Sequence, residues 1–248
     1  MPLTSATTNF SNGVTNAAPW QAMAESIIPD PSYSQLYHNE FNTFAATDLT
    51  TTLVGTGTTA LVAESGGVLL ATTTAGAADA NYYQLPTASF AFTPGSAMYF
   101  KARFKVDNAT LPNIYAGLIA TSATPLAAVD GVWFLKAAAS ANVILRHRIG
   151  GVTTDVALPT VLTVNATGWF ELSFYYDGKV SIAAFFSPST GAVPRPVPSS
   201  TANPGYCAVM TLPTGFTTAI LAPSFGILNS TAVARTVRWD YITASNEL

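Results

Sequence analysis

Charge is the scarcest thing in this chain of 248 residues. Asp, Glu, Lys and Arg make up 9% of it, against roughly 25% in an ordinary soluble domain. Such a surface must be clothed in Thr, Ser, Asn and Ala. It desolvates cheaply, so it suits lasting burial against a partner. Ten basic and thirteen acidic residues leave a net charge of −3. So few cations make a poor counterion-releasing surface, which argues against direct nucleic-acid binding. Cysteine is nearly absent too. Cys207 stands alone, so no intrachain disulfide and no zinc site of several cysteines can form. It reads as a small buried hydrophobe in the run Tyr206–Met210. His38 and His147 are the two histidines, and neither sits in a cysteine-protease context. No apolar run reaches the roughly 18 residues a membrane helix needs. Met1-Pro2-Leu3-Thr4-Ser5 lacks the basic-then-apolar pattern of a secretory signal. The expectation is synthesis in a cytoplasm, with no membrane partner.

What the chain has in quantity is alternation. Hydrophobic residues make up 49%, ample for a core. In Ala97–Val106 one face carries Met98, Phe100, Ala102, Phe104 and Val106, and the other Tyr99, Lys101, Arg103 and Lys105, the mark of a half-buried antiparallel strand. Trp169–Tyr176 runs through Asp177-Gly178 into Lys179–Phe186, and Val143–Ile149 runs through Gly150-Gly151 into Val152–Leu158. Both read as hairpins closed by two-residue type I′ turns. Further strands are expected at Gly67–Thr73, Asn81–Leu85, Asn113–Thr121, Gly131–Lys136, Ala219–Leu228 and Thr236–Ala244. Short strands at this spacing indicate a sandwich or barrel.

Two segments break the pattern. Residues 1–37 are turn-rich and read as an arm, with one short helix expected within Ala17–Ile28, ended by Pro29-Asp30-Pro31. Trp20, Ile27, Ile28, Tyr33 and Tyr37 are too apolar for an inert linker. They are candidate partner-binding residues, docking either on the chain's own sandwich or on a neighbouring subunit. Ser187–Pro204 holds five prolines and reads as a long surface loop. Residues 38–248 form the remaining domain.

Phe41-Asn42-Thr43-Phe44 with Leu49 and Gly66–Leu70, the long hairpin Trp169–Val180, and the closing run Val237–Ile242 together resemble the concanavalin A-like jelly roll of legume lectins, laminin G domains and family 16 glucanases. The resemblance covers roughly residues 38–248. It implies an all-β, two-sheet antiparallel sandwich whose last strand returns beside its first. Richness in Thr and Ala, low charge, absence of disulfides and the extended arm are similar to virion proteins of tailed bacteriophages, capsid decoration (cement) proteins among them.

The glucanases of this fold carry acids on alternate residues of one strand, because retaining hydrolysis needs two carboxylates about 5–5.5 Å apart. Here no strand holds two acids at i, i+2. Glu171 stands alone beside Ser173 and Tyr175, and Asp240 alone beside Arg238. A Ser-His-Asp arrangement needs a histidine base. His147 alternates onto the face of Val143 and Leu145 and reads as a core histidine. Asp79-Ala80-Asn81 and Asp107-Asn108 could lend oxygens to calcium, as loops of laminin G domains do, but turn formation explains both. Phosphate loops and dinucleotide fingerprints are missing. No catalysis and no cofactor are therefore expected. The cationic row Tyr99, Lys101, Arg103 and Lys105 is a candidate face for an acidic partner or a glycan, unless it is a solvated sheet face. Trp133, Trp169 and Trp239 sit at spacings consistent with core positions.

The resulting expectation is a virion protein that decorates an assembled shell. It would bind the major capsid protein or other virion subunits through its arm and loops, as a homo-oligomeric trimer or dimer. The competing expectation is a carbohydrate-binding module of concanavalin A-like fold.

Overall fold

The computed structural model describes residues 34–64, 66–158, 164–189, 208–212 and 215–247, with backbone alone for 187–189. Among these residues fifteen strands run in chain order: β1 (Ser34–Asn39), β2 (Thr50–Val54), β3 (Thr58–Val62), β4 (Val68–Thr72), β5 (Ala80–Gln84), β6 (Met98–Val106), β7 (Asn113–Ile119), β8 (Gly131–Lys136), β9 (Val143–Ile149), β10 (Val152–Ala157), β11 (Trp169–Tyr176), β12 (Ser181–Ser189), β13 (Ala208–Thr211), β14 (Ala222–Leu228) and β15 (Thr236–Glu247). Among the described residues a 3₁₀ turn, Pro125–Ala127, precedes β8. All pairings are antiparallel and form two sheets. Sheet A has the order β13-β12-β11-β6-β15-β4-β3, with β1 also on β15, and sheet B the order β10-β9-β8-β7-β14-β5-β2. The described residues form an all-β jelly-roll sandwich, in which β15 pairs with β1.

The core lies between the sheets because alternation sends every second side chain there. β6 is the clearest case: Met98, Phe100, Ala102, Phe104 and Val106 are buried while Lys101, Arg103 and Lys105 are not fully so. Sheet A contributes Phe100, Phe104, Phe170, Phe174 and Trp239, and sheet B contributes Tyr83, Phe134 and Phe225. Rings meet across the gap, Phe134 with Phe174 at 6.0 Å and Phe225 edge-on to Trp239 at 5.0 Å. Burial of side chains of this size contributes about 1.5–3 kcal/mol each.

Several expectations change. Strand pairing begins at Ser34, inside the span read as an arm, and Tyr37 packs against the core of its own sandwich. Trp20, Ile27, Ile28 and Tyr33, the expected helix and Cys207 lie outside the described residues. Phe41–Phe44 is not strand. Phe41 is fully buried against Phe225 at 5.8 Å with φ +53°. The Gly150-Gly151 turn has positive φ at both residues, as a type I′ turn requires. The Asp177-Gly178 turn does not, since only Gly178 has positive φ. The Asp177 carboxylate instead accepts the amides of Lys179 and Ser181 at 2.9 and 3.3 Å. Those bonds hold a longer loop open between β11 and β12. Ser187–Ser189 continue β12 rather than starting the proline-rich loop, the rest of which lies outside the described residues.

Candidate functional site

The cationic row of β6 points out of sheet A, away from the core, as its spacing predicts. It is not a free positive stripe. Lys101 Nζ lies 2.9 Å from Glu171 Oε1 and 5.6 Å from the centre of the Tyr241 ring. The Tyr241 hydroxyl donates to the other Glu171 oxygen. Arg103 pairs with Asp240, and its guanidinium lies 5.0 Å from the Trp169 ring centre. β6 sits between β11 and β15, so Glu171 and Tyr241 reach its cations from opposite sides.

Asp240 joins this set through a β-bulge. The register between β15 and β6 shifts between Trp239 and Tyr241, so Trp239 keeps its place opposite Phe104 while Tyr241 falls opposite Arg103. The extra residue at a bulge leaves the ladder and its side chain is re-aimed. Burial raises the Asp240 carboxyl above its ordinary value although Arg103 opposes the shift. Burial, with the Glu171 charge adding to it, likewise raises the Tyr99 and Tyr241 hydroxyls. Both carboxylates of this face are engaged by donors, so its charges hold three strands together. Lys105 stands further along the same strand, half-buried, beside Arg238 in register.

The other end of the same outer face is apolar. Ala97, Tyr99, Tyr175 and Phe185, with Ala183 against them, form a cluster of their own, separate from the core between the sheets. Tyr99 therefore belongs to two neighbourhoods, one ionic and one aromatic. Spacing alone did not separate them.

Sheet B also carries side chains on its outer face. Tyr82, Tyr115, Ile119, Trp133 and Leu135 pack there into a second separate cluster. Gly226 makes this possible: a Cβ at that position would stand 2.9 and 3.0 Å from Tyr115 ring and hydroxyl atoms, so the ring lies across the bare strand. Arg148 covers Trp133 at 5.6 Å from the ring centre and donates to the Leu126 and Ala128 carbonyls at 3.3 and 3.0 Å. Gly151 N donates to Val129 O at 2.8 Å and Gly150 N to Asp130 at 3.1 Å, which straps the loop at 121–130 to the β9–β10 hairpin. Arg146 beside it is bidentate to Asp155 at 2.8 Å. Trp133 Nε1 and the Tyr115 hydroxyl are buried there without hydrogen-bond partners among the described residues. Of the three tryptophans expected in the core, Trp239 alone is there; Trp133 and Trp169 lie on outer faces.

His147 is the core histidine its alternation predicts. Its Nε2 accepts from Thr217 N at 3.3 Å, and Phe216 meets its ring edge-on at 5.1 Å. The turns at Asp79 and Asn108 are held by their own side chains. Asp79 accepts from Gly76 N at 2.9 Å, and Asn108 from Thr110 N and Leu111 N at 3.0 and 2.8 Å. Among the described residues no group of three or more His, Cys, Asp or Glu is placed to hold a metal. Among them, too, no helix is long and apolar enough to cross a membrane.

The third surface feature is an edge. β2 ends sheet B, β3 ends sheet A, and they are consecutive in the chain. Residues 50–63 contain no charged residue and no proline. Leu53, Val54 and Leu61 on these strands are about two-fifths exposed, at 43%, 38% and 43%.

No protein-family model matches this chain, and no curated protein matches it in sequence. Solved structures match its fold. A protein of unknown function from Shewanella oneidensis MR-1 shares 12% identity at a TM-score of 0.57, over 94% of this chain and 95% of that one. Lectin II from Ulex europaeus shares 8% at 0.58, over 86% and 99%. The CBM2 module of the evolved Dit of Lactobacillus casei BL23 phage J-1 shares 11% at 0.52, over 86% and 96%. At these identities the likeness concerns the fold, a concanavalin A-like sandwich.

Proposed function

We propose that this chain is a non-catalytic structural protein of a virion, of the decoration type, which holds to an assembled shell by its uncharged edge. The observation that carries this reading is the run 50–63. Exposed sheet edges are ordinarily guarded by charges, prolines or bulges, because their free N–H and C=O groups template pairing with another chain. β2 and β3 bear neither charge nor proline and present Leu53, Val54 and Leu61 outward. An edge of this kind on a natural protein is a contact surface. Attachment then follows mass action: a protein that binds the shell and not its separated subunits stabilises the shell, and repeated copies multiply avidity. A fold neighbour that is a module of a phage Dit supports the virion setting.

The test is co-sedimentation of the purified chain with tailed particles from its own source. The wild-type chain is expected to band with the particles, and Leu53→Lys/Leu61→Lys, with an unchanged circular dichroism spectrum, to stay at the top. Equal banding of the two, or no banding of either, overturns the proposal.

A second reading rests on the outer face of sheet B. Buried donors without partners are costly, and Trp133 Nε1 and the Tyr115 hydroxyl are two of them beside Arg146 and Arg148. A sugar entering under the loop at 121–130 would accept from both, and a lectin neighbour was solved with galactose. Glycan-array binding lost on Trp133→Phe and Tyr115→Phe supports this reading. An array without signal removes it.

A further inference from the structure

We infer that the edge contact is made through the backbone: β2 and β3 each take up an antiparallel strand offered by a shell subunit. The inference rests on the decoration reading above and names the chemistry of its partner.

Which backbone groups are free follows from the ladders beside them, because bonding direction alternates along an antiparallel strand. Thr73 N donates to Arg235 O at 2.9 Å. That turns Thr73, just beyond β4, and Ala71 within it towards β15. Val68, Leu70 and Thr72 therefore address β3, where Val62, Ala60 and Thr58 stand opposite them. In sheet B, Leu85 N donates to Pro223 O at 2.9 Å and Asn229 N to Asp79 O at 2.8 Å. Asn81 and Tyr83 accordingly address β14, while Ala80, Tyr82 and Gln84 address Val54, Thr52 and Thr50 of β2. Thr51 and Leu53 remain on β2, and Thr59 and Leu61 on β3. Their N–H and C=O groups point away from both sheets.

The two strands carry one pattern. β2 reads Thr-Thr-Thr-Leu-Val and β3 reads Thr-Thr-Ala-Leu-Val, and the outward backbone belongs to the second and fourth residue of each. Their side chains share a direction too. Thr51 and Leu53 stand in register with Tyr83 and Asn81, and Thr59 and Leu61 with Ala71 and Leu69. Those four partners are fully buried, and neighbours in register point to the same face. All four edge residues thus turn to the mouth of the gap between the sheets, where Thr59 Oγ1 meets the Tyr83 hydroxyl at 2.6 Å. The edge is also held rigid. A Cβ at Gly55 or Gly57, in the connector between the strands, would collide with the side chain of Asp79 or Asn81. Asn81 Nδ2 donates to Thr58 O at 2.9 Å and to Thr72 O at 3.3 Å. Little ordering is then left for binding to cost.

The occupant follows from these groups. A row of outward N–H and C=O groups is matched by an extended strand, whose main chain supplies the affinity and whose alternate side chains supply the fit. The strand is antiparallel, the more stable pairing. It is uncharged, since residues 50–63 hold no charge to answer one. It is aliphatic on the side that meets Leu53 or Leu61, each 43% exposed at the mouth of the gap. A second copy pairing edge to edge would spend the groups that attach the chain to the shell, so the strands come from the shell subunit.

Proline substitution tests this in the co-sedimentation assay with tailed particles. Proline at an outward position of an edge strand removes an N–H that the chain's own ladder does not use. Thr51→Pro/Thr59→Pro, with an unchanged circular dichroism spectrum, is expected to bind particles at least about tenfold more weakly than Thr51→Ala/Thr59→Ala, which loses the same side chains and keeps both amides. Hydrogen exchange of the wild-type chain needs no variant. In the isolated chain the amides of Thr51, Leu53, Thr59 and Leu61 are expected to exchange at least about tenfold faster than those of Thr52 and Ala60, and to slow on the particle. Equal binding by the proline and alanine pairs, while the wild-type chain binds, overturns the inference and leaves the decoration reading standing. So do outward amides whose exchange the particle does not change. No binding by the wild-type chain overturns both. A wild-type chain that dimerises without particles, beside a proline pair that stays monomeric, gives the edge to a second copy and overturns the shell strand.

Discussion

Acid should loosen this sandwich through one residue, His147. The imidazole is 1% exposed on the inner face of β9, and burial lowers its pKa from 6.5 to about 4, with the Asp130 charge opposing the shift less strongly. Thr217 N and the edge of Phe216 face the ring. Because Nε2 accepts the Thr217 amide, the neutral tautomer carries its proton on Nδ1. Unfolded, the same histidine titrates near pH 6.5. Between these two values the unfolded chain binds a proton that the folded chain refuses. Stability therefore falls as pH drops through that window, with a limiting slope of about 1.4 kcal/mol per unit. A shift of this size amounts to a loss of about 3 kcal/mol by pH 4, a large part of the 5–15 kcal/mol typical of a domain. Below pH 4 this group adds nothing further. The assay is urea denaturation at several pH values from 7.5 to 4 for the wild-type chain and His147→Gln, which keeps an acceptor and cannot titrate. Their difference isolates His147, because the substitution leaves every other ionisable group in place. The wild-type chain should lose about 3 kcal/mol more than the variant over that range. Parallel stability curves down to pH 4 would refute the reasoning.

Two other substitutions follow from buried charge. Lys136 is 1% exposed, donates to the Ala109 carbonyl at 3.1 Å, and has its pKa lowered to about 8 by burial. Lys136→Met should stabilise the chain at pH 7 by about 1–3 kcal/mol. The wild-type chain gains stability as pH rises from 8 towards 10.5, since the unfolded lysine then holds a proton the folded one has lost. The advantage of Lys136→Met should accordingly shrink in urea melts at pH 9.5. Glu171→Leu strands Lys101 and the Tyr241 hydroxyl and should cost about 2–4 kcal/mol. Lys101→Leu/Glu171→Leu should cost less than Glu171→Leu alone in a double-mutant cycle, and equal or greater loss would show that the pair is not coupled.

The sheet strands whose two faces differ were legible in the sequence. β6 and β9 stand within a residue of their expected bounds, because one side of each meets the core and the other does not, while β8, buried along its whole length, was legible as a short apolar run opened by Gly131. β2 and β3 were missed for the opposite reason. At an edge both sides of Leu53 and Leu61 meet solvent, so Thr50–Val62 shows no alternation for a reader to detect. β1 was read as arm because Ser34–Asn39 takes its strand form from β15, some two hundred residues away. The cationic row was legible residue by residue, but its partners were not. Glu171 and Asp240 look isolated along the chain, and they meet Lys101 and Arg103 only through cross-strand register and one bulge. Asp177-Gly178 carried a strong turn signal of the wrong type, since a carboxylate capping two downstream amides fixes a longer loop than the dipeptide suggests.

The pairing of Ser34 with Glu247 puts the two ends of the sandwich on adjacent strands, about 5 Å apart. Any cargo joined to either end therefore shares a single exit. A reporter fused before residue 34 and another fused after residue 247 would start from the same point and compete for the same space.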